Sequence, residues 1–455
     1  MFERDGAVYV KSDEKTLKAN GSPLNIKCSS VSDEKVLVIG GYVLLSFSST
    51  TANPYSGSGT LGAVEGLRGG GYKGQITVIS KEGYQPIDRT KLSKALLADL
   101  NKAAWRSKDF YKEASIDFIE DEAKSVDFSA KKVETKSGKS YEYSKLVLAT
   151  GGTPSFLPLE GLKGDLGNTF LLRTLPDAQN ILKAVGDNGK KVVVVGSSFI
   201  GMEVGNCLAS MKNDVTIVGM EEEPMERVMG KKVGKIFRGL LEKNGVKFKM
   251  GASVEKATPS KSDSSKIGTV HLKDGTTLEA DLVIEGVGVK PATEYLKDNS
   301  SVQLEKDGSL RTNESFEVQG LKDVFAIGDI ATYPYHGPGG NGTPVRIEHW
   351  NVAQNAGRSV AKSINDPSSK PKAFIPVFWS ALGSQLRYCG NTINGYDDVV
   401  LQGDTEKPSF VAYYTSGDEV VAVASMMKDP YMTQVCLIHL TPGNYIVPSM
   451  RRVLC

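Results

Sequence analysis

The sequence predicts an α/β fold of two Rossmann-like dinucleotide-binding domains followed by a C-terminal α+β domain. Three observations carry this. Lys35 and Lys191 each open a β-branched run ending in glycine, KVLVIGG and KVVVVGSSFIG, as buried parallel strands do. Each run leads through helix-compatible sequence to a second strand, ITVIS at 76–80 and VTIVG at 215–219, making a βαβ unit twice over. From about Pro371 the texture becomes aromatic and β-rich, as in FIPVFWSALGSQLRYCG and FVAYYTSGDEVVAVASM, which suits an antiparallel sheet.

The remaining elements follow in order. KSGKSYEYSKLVLATGG and KDGTTLEADLVIEGVG resemble each other: a hairpin, then a strand returning to the sheet and ending in glycine, which points to internal duplication. The domains are expected at 31–157 with 289–370, at 158–288, and at 371–455, with NDPSSKPK (365–372) as the last linker.

Composition excludes several classes. The formal charge is +2 with both signs interspersed, so no basic face announces nucleic acid. Cys28, Cys207, Cys389, Cys436 and Cys455 stand singly, as do His271, His336, His349 and His439, which argues against a metal site, a cluster or a redox dithiol. No apolar run is long enough to span a membrane, and the charged start MFERDGAVYVKSDEK lacks a signal core. A cytoplasmic location is expected, with a mitochondrial one as the alternative.

A glycine-rich turn between strand and helix suits pyrophosphate, because backbone N–H groups and the helix dipole converge there. The second copy runs from Gly196 to Gly201 with Ser198 at its middle position. The first is whole only if 42–56 is removed, which joins VLVIGG to GSGTLG. A retained intron explains the segment. The rival is a genuine surface loop, costing roughly 1.4 kcal/mol in closure entropy, although phosphate binding needs strand and helix in one register. VFAIGDIA places Asp329 to accept from polyol hydroxyls, and QPIDRTKLSK gathers Arg89, Lys91 and Lys94, which alone reads as a solvated basic loop.

Together VLVIGG/GSG, PIDRTKLSK, LVLATGGTP, VVVVGSSFIGMEV, VFAIGD, IEHWNVAQNAGR, VFWS and YDDVVLQGD resemble flavoprotein reductases with two dinucleotide domains, of the glutathione-reductase-like fold. The match is to the apoptosis-inducing-factor-like branch, close to ferredoxin reductases, whose full members carry an N-terminal Rieske iron–sulfur domain. The resemblance implies FAD in the first domain and NADH or NADPH in the second. Gly40, Gly41, Gly57 and Gly59 would form the pyrophosphate turn, with Thr60 where a last glycine is usual. Glu82 would hold the adenosine ribose, Arg89 the pyrophosphate, and Asp329 the ribityl chain. Lys94 would sit at the reactive edge of the flavin, where a cation stabilises negative charge. Gly151 and Gly328 would close the cofactor-binding strands, and Glu348, His349 and Trp350 would line the ring. Gly196 and Gly201 would cradle the nicotinamide cofactor, and Glu203 would meet the nicotinamide and pair with Lys94.

The sequence departs from the family in places. Gly219 replaces the acid that commonly binds the ribose, with Glu221 two residues on, and EEE at 221–223 favours NADH over NADPH. Residues 1–30 resemble the tail of a Rieske domain without its ligands, implying N-terminal truncation. The pattern also breaks after Gln434, implying a second gene-model error. The function expected is hydride transfer from NAD(P)H to flavin, with electrons passing to an iron–sulfur protein or a small acceptor. The alternative is a catalytically impaired scaffold or apoptosis-related interaction protein whose flavin site the 42–56 segment breaks.

Overall fold

The computed structural model describes residues 2–4, 7–9, 26–28, 32–40, 57–81, 86–371 and 375–429. Gly41, the 42–56 segment, Glu82, most of the Rieske-like stretch and everything from 430 onward lie outside the described residues.

The first apolar run forms the strand Ser32–Gly40 at the centre of a five-stranded parallel sheet. The order is Val324–Ala326, Lys145–Ala149, Ser32–Gly40, Gly74–Ser80, Ile116–Glu120. Strand side chains alternate between faces, and both faces here are covered, so every position from Val36 to Ile39 is apolar and buried. Val36 and Val38 enter one core and Leu37 and Ile39 another. On the first face the helix Ser58–Gly69 crosses the helix Trp350–Asn365 with backbone against backbone. A Cβ on Gly62 would stand 2.0 Å from the Gln354 carbonyl oxygen, so only glycine permits this approach.

The second run, Lys191–Val195, is central to another five-stranded parallel sheet, in the order Thr169–Phe170, Leu282–Glu285, Lys191–Val195, Asp214–Val218, Lys247–Lys249. Val192 and Val194 face one core, Val193 and Val195 the other. The two similar stretches seen in the sequence occupy equivalent places. Each belongs to a three-stranded antiparallel sheet, one starting at Ala123–Asp127 and the other at Val254–Pro259, that precedes a strand of the main sheet.

The chain leaves the first sheet through Gly152–Pro154 and returns through Val289–Pro291, and these two segments pair antiparallel. We propose the division of 31–157 and 289–370 from 158–288 at this doublet. Beside it the Leu157 amide donates to Glu285 Oε2 at 2.7 Å, while Glu285 Oε1 is buried and unpartnered. Burial pushes this carboxyl up to about 8.

Residues 377–426 form a five-stranded antiparallel sheet, in the order Val377–Ala381, Gln385–Gly390, Glu419–Met426, Ser409–Ser416, Asp398–Asp404. The sheet half of the expected α+β domain is therefore present, and any helical half falls outside the described residues. Its core is continuous with that of the second sheet through Phe237, Phe378 and Tyr414. The Tyr414 hydroxyl donates to the Met229 carbonyl at 2.8 Å, where Gly230 (φ 72°) breaks the helix Glu226–Lys243.

Candidate functional site

A cleft opens where the three units meet. Its walls include Gly57, Gly59, Arg89, Lys94, Gly151, Glu203, Gly328, Asp329, Glu348, His349 and Trp350, all candidates from the sequence.

At one end lies the N-terminus of the helix Ser58–Gly69. Gly57 precedes it in an extended conformation; no side chain caps its first turn, and no acid stands there. The first N–H groups of a helix lack internal partners and carry its positive dipole end, so an uncapped start facing a cleft receives an anion. Thr60 in this turn is fully buried, with a hydroxyl that has no partner. Gly40 ends the neighbouring strand, paired with Ala149.

Charges are arranged along the cleft. Arg173 Nη2 lies 2.6 Å from Asp329 Oδ2, and Arg89 Nη1 donates to the Arg173 carbonyl at 2.8 Å. Arg346 reaches Glu348 at 2.6 Å and Asp307 at 2.8 Å. Burial and the charge of Asp329 nevertheless hold the Glu348 carboxyl above its usual range. Deeper in, Lys94 Nζ lies 3.0 Å from Glu203 Oε1. The hydroxyls of Ser93 and Ser380 also donate to this carboxylate, on Oε2 and Oε1 respectively.

The aromatic wall has a defined proton arrangement. His349 precedes the helix Trp350–Asn365 and caps it, Nδ1 accepting from the Asn351 amide at 3.2 Å. The ring proton is therefore on Nε2, 3.3 Å from the Trp379 carbonyl that accepts it. Burial, with the nearby Lys94 charge, holds this imidazole down to about 4, so it is neutral at physiological pH. Trp105, Trp350 and Trp379 follow one another with centroids 5.5 and 5.0 Å apart. The buried Nε1 atoms of Trp105 and Trp350 have no partners. An apolar planar slot with unspent donors, next to an anion-binding helix start, has the chemistry to hold a flavin dinucleotide.

The second glycine turn lies outside this cleft. Gly196 has φ 107°, and a Cβ on Gly201 would stand 2.0 Å from the Gly196 carbonyl oxygen, so the helix Phe199–Ser210 starts tight against its strand. The Ser198 hydroxyl donates to the Gly286 carbonyl at 3.3 Å. The absence of an acid at 219 also has a cause: a Cβ there would lie 2.5 Å from Ser197 Oγ and 2.7 Å from Met250. Ser197 Oγ instead donates to Glu221 at 3.4 Å, and Arg227 pairs with Glu221 at 2.8 Å. Lys231 likewise meets Glu222 at 2.7 Å and Arg238 reaches Glu223 at 3.8 Å, so the EEE run is less negative than its sequence reads.

The structure thus gathers the candidates into one cleft and one separate turn, with Gly41 and Glu82 outside the described residues. Sequence reasoning missed Arg173, Ser93 and Trp105. Arg173 had a signal, for it directly precedes a capping box in which Thr174 and Asp177 bond reciprocally ahead of the helix Leu175–Val185. The basic stretch read as a loop contains the short helix Thr90–Ala95, which turns Lys94 into the cleft.

The sequence pattern of the pyridine nucleotide-disulphide oxidoreductases matches residues 56–357. The chain belongs to that family. Among pyridine nucleotide-disulphide oxidoreductases and their kin, it is 37% identical to apoptosis-inducing factor 3 of Mus musculus over 403 residues, 88% of this chain and 64% of that protein. It thus spans just under two thirds of that relative. It is 32% identical to monodehydroascorbate reductase 1, peroxisomal, of Arabidopsis thaliana, across 76% of this chain and 83% of the relative. Putidaredoxin reductase, solved in a covalent complex with putidaredoxin, superposes with a TM-score of 0.80 at 27% identity, covering 90% of this chain and 94% of the other. Despite the family's name, none of the free cysteines among the described residues, Cys28, Cys207 and Cys389, lines the cleft.

Proposed function

We propose that this chain is an FAD-dependent NAD(P)H oxidoreductase, taking hydride from a reduced pyridine nucleotide and passing electrons to an iron–sulfur carrier or a small acceptor. The observation that carries the reading is the convergence in one cleft of the uncapped helix start at Gly57–Gly59, the Arg173–Asp329 pair and the Lys94–Glu203 pair. Bound FAD supplies the conversion of two-electron into one-electron chemistry that no side chain here performs.

The protein's part is orientation and charge. Gly40, Gly57, Gly59 and the helix N-terminus hold the diphosphate, Arg89 and Arg173 add positive charge, and Asp329 accepts from the polyol chain. Gly41 and Glu82 would complete this cradle and the adenosine ribose contact. Lys94 places its ammonium where negative charge develops, and Glu203 fixes it there. Trp105, Glu348, His349 and Trp350 would wall the ring, with His349 neutral and Lys94 supplying positive charge beside it. Gly151 and Gly328, both at positive φ, bring backbone close to the cofactor. Gly196 and Gly201 receive the nicotinamide dinucleotide. We propose NADH as the donor, because Glu221, two residues past the second strand of this unit, would accept from ribose hydroxyls and repel a 2′-phosphate.

For the acceptor, an iron–sulfur protein is the first candidate, supported by the solved reductase that is joined to putidaredoxin. A small organic radical or quinone is the second, supported by the monodehydroascorbate reductase relative. We further propose that 42–56 is a retained intron. In support, the family match opens at residue 56, the last of that segment.

Expression with and without 42–56 tests the reading. The shortened chain should purify yellow, with tightly held flavin bleached by NADH. If both forms are folded and colourless and take up no added FAD, the scaffold alternative replaces it.

A further inference from the structure

Glu203 is 5% exposed, and at its carboxylate three parts of the molecule meet. Lys94 and Ser93 come from the short helix Thr90–Ala95, between the Gly74–Ser80 and Ile116–Glu120 strands of the first sheet. Glu203 itself sits on the helix Phe199–Ser210, and Ser380 comes from the strand Val377–Ala381 of the C-terminal sheet. Such a buried carboxylate needs several donors beyond one ion pair, because its desolvation is only partly offset by a single ammonium.

Two periodicities place Ser380. Strand residues two apart share a face, and helix residues four apart share a face. Phe378 and Ser380 are both buried on their strand, whereas Trp379 between them is 37% exposed. Phe199 and Glu203 lie one above the other on their helix. The Phe378 and Phe199 rings meet edge-on with centroids 5.3 Å apart, which sets the register that delivers Ser380 to Glu203. The strand is also pinned from the flavin side. The Val377 carbonyl accepts from Asn351 Nδ2 at 2.7 Å, and the Trp379 carbonyl accepts from His349 Nε2.

We infer that Ser380 is a positioning residue of the reaction centre: its hydroxyl shares Glu203 Oε1 with Lys94 and fixes the direction of the lysine ammonium, so that the C-terminal sheet sets the geometry of hydride transfer. The inference rests on the function proposed above. It assigns the third unit a role in the chemistry as well as in packing. Without this donor the carboxylate is free to rotate about its Ser93 and Lys94 contacts, and Lys94 turns with it.

The test uses the full chain, with 42–56 removed if flavin uptake requires it, and compares Ser380→Ala, Ser380→Thr and Ser425→Ala. Ser425 is buried in the same sheet, its hydroxyl has no partner, and it does not touch the cleft, so its alanine variant controls for sheet packing. Ser380→Ala should reduce the rate of flavin reduction at saturating NADH roughly ten-fold, the size expected for losing a hydrogen bond to a charged group. NADH affinity should change less than about two-fold. The absorption band of the bound flavin should shift as Lys94 moves. Ser380→Thr should restore all of these, and Ser425→Ala should alter none. A flavin-loaded protein in which Ser380→Ala leaves rate and spectrum unchanged overturns the inference alone, as does equal damage from Ser425→Ala. A protein that takes up no flavin in either form overturns the functional reading, and the inference with it.

Discussion

Arg173 and Asp329 meet across the cleft at 2.6 Å although 156 residues separate them in the chain. The arginine belongs to the segment leading into the helix Leu175–Val185, and the aspartate to the short turn after Val324–Ala326. The pair is largely buried, so its loss is felt on both sides. Arg173→Ala should weaken FAD binding about ten-fold, because Asp329 is left buried without its cation and the diphosphate loses a positive charge. Fluorescence titration of the flavin-free protein checks this; unchanged affinity would remove Arg173 from the site.

The helix crossing at Gly62 gives a prediction about stability. Gly62→Ala places a methyl on the Gln354 carbonyl and should cost about 2 kcal/mol, read as a lower urea midpoint. Gly239→Ala, in the helix Glu226–Lys243 with no atom within 4 Å of the added Cβ, should instead gain roughly 0.5–1 kcal/mol. Equal effects at the two positions would contradict the packing described.

Glu285 predicts an alkaline effect. Its folded pKa of about 8 lies above the unfolded value of 4.5, so the folded state holds the proton more tightly between these limits. Its contribution to stability is whole below about pH 4.5 and is lost as pH rises through about 8. Glu285→Gln, which mimics the neutral form, should be more stable than the parent at pH 8 by on the order of 3 kcal/mol, with the difference shrinking toward pH 4.5. A difference independent of pH would show that the carboxyl does not titrate there.

His349 predicts the opposite trend. Its folded pKa of about 4 lies below 6.5, so the unfolded chain binds the proton first, and stability falls as pH drops from about 6.5 to about 4. His349→Asn keeps an acceptor for the helix cap and removes this titration. Thermal melts across the window should show a shallower fall for the variant than for the parent.

Glu221→Ala should raise the KM for NADH several-fold and narrow the preference over NADPH, since it removes the ribose acceptor and frees Arg227 for a phosphate. Steady-state kinetics with both donors decides the matter.

The parallel sheets were legible because their central strands carry unbroken apolar runs, which only a doubly covered strand requires: Val36 to Ile39 and Val192 to Val195 announce themselves. The glycine turns were legible because backbone proximity admits no other residue. Arg173, Ser93 and Ser380 were not legible as partners. Each is an ordinary residue whose role comes from which element lies opposite, and a one-dimensional pattern carries no such information. The partners of the EEE run were hidden for the same reason, since Arg227, Lys231 and Arg238 face it only in the fold.

Gly152–Pro154 and Val289–Pro291 lie side by side in opposite directions, so both covalent crossings into 158–288 run through one hydrogen-bonded ribbon, while Phe237, Phe378 and Tyr414 pack that segment against the C-terminal sheet. Two separate tethers would let a module pivot in any direction, whereas a ribbon twists about its long axis and resists splaying. With the shared core closing the opposite side, ribbon and core together hold Glu203 in register with Lys94 and Ser380.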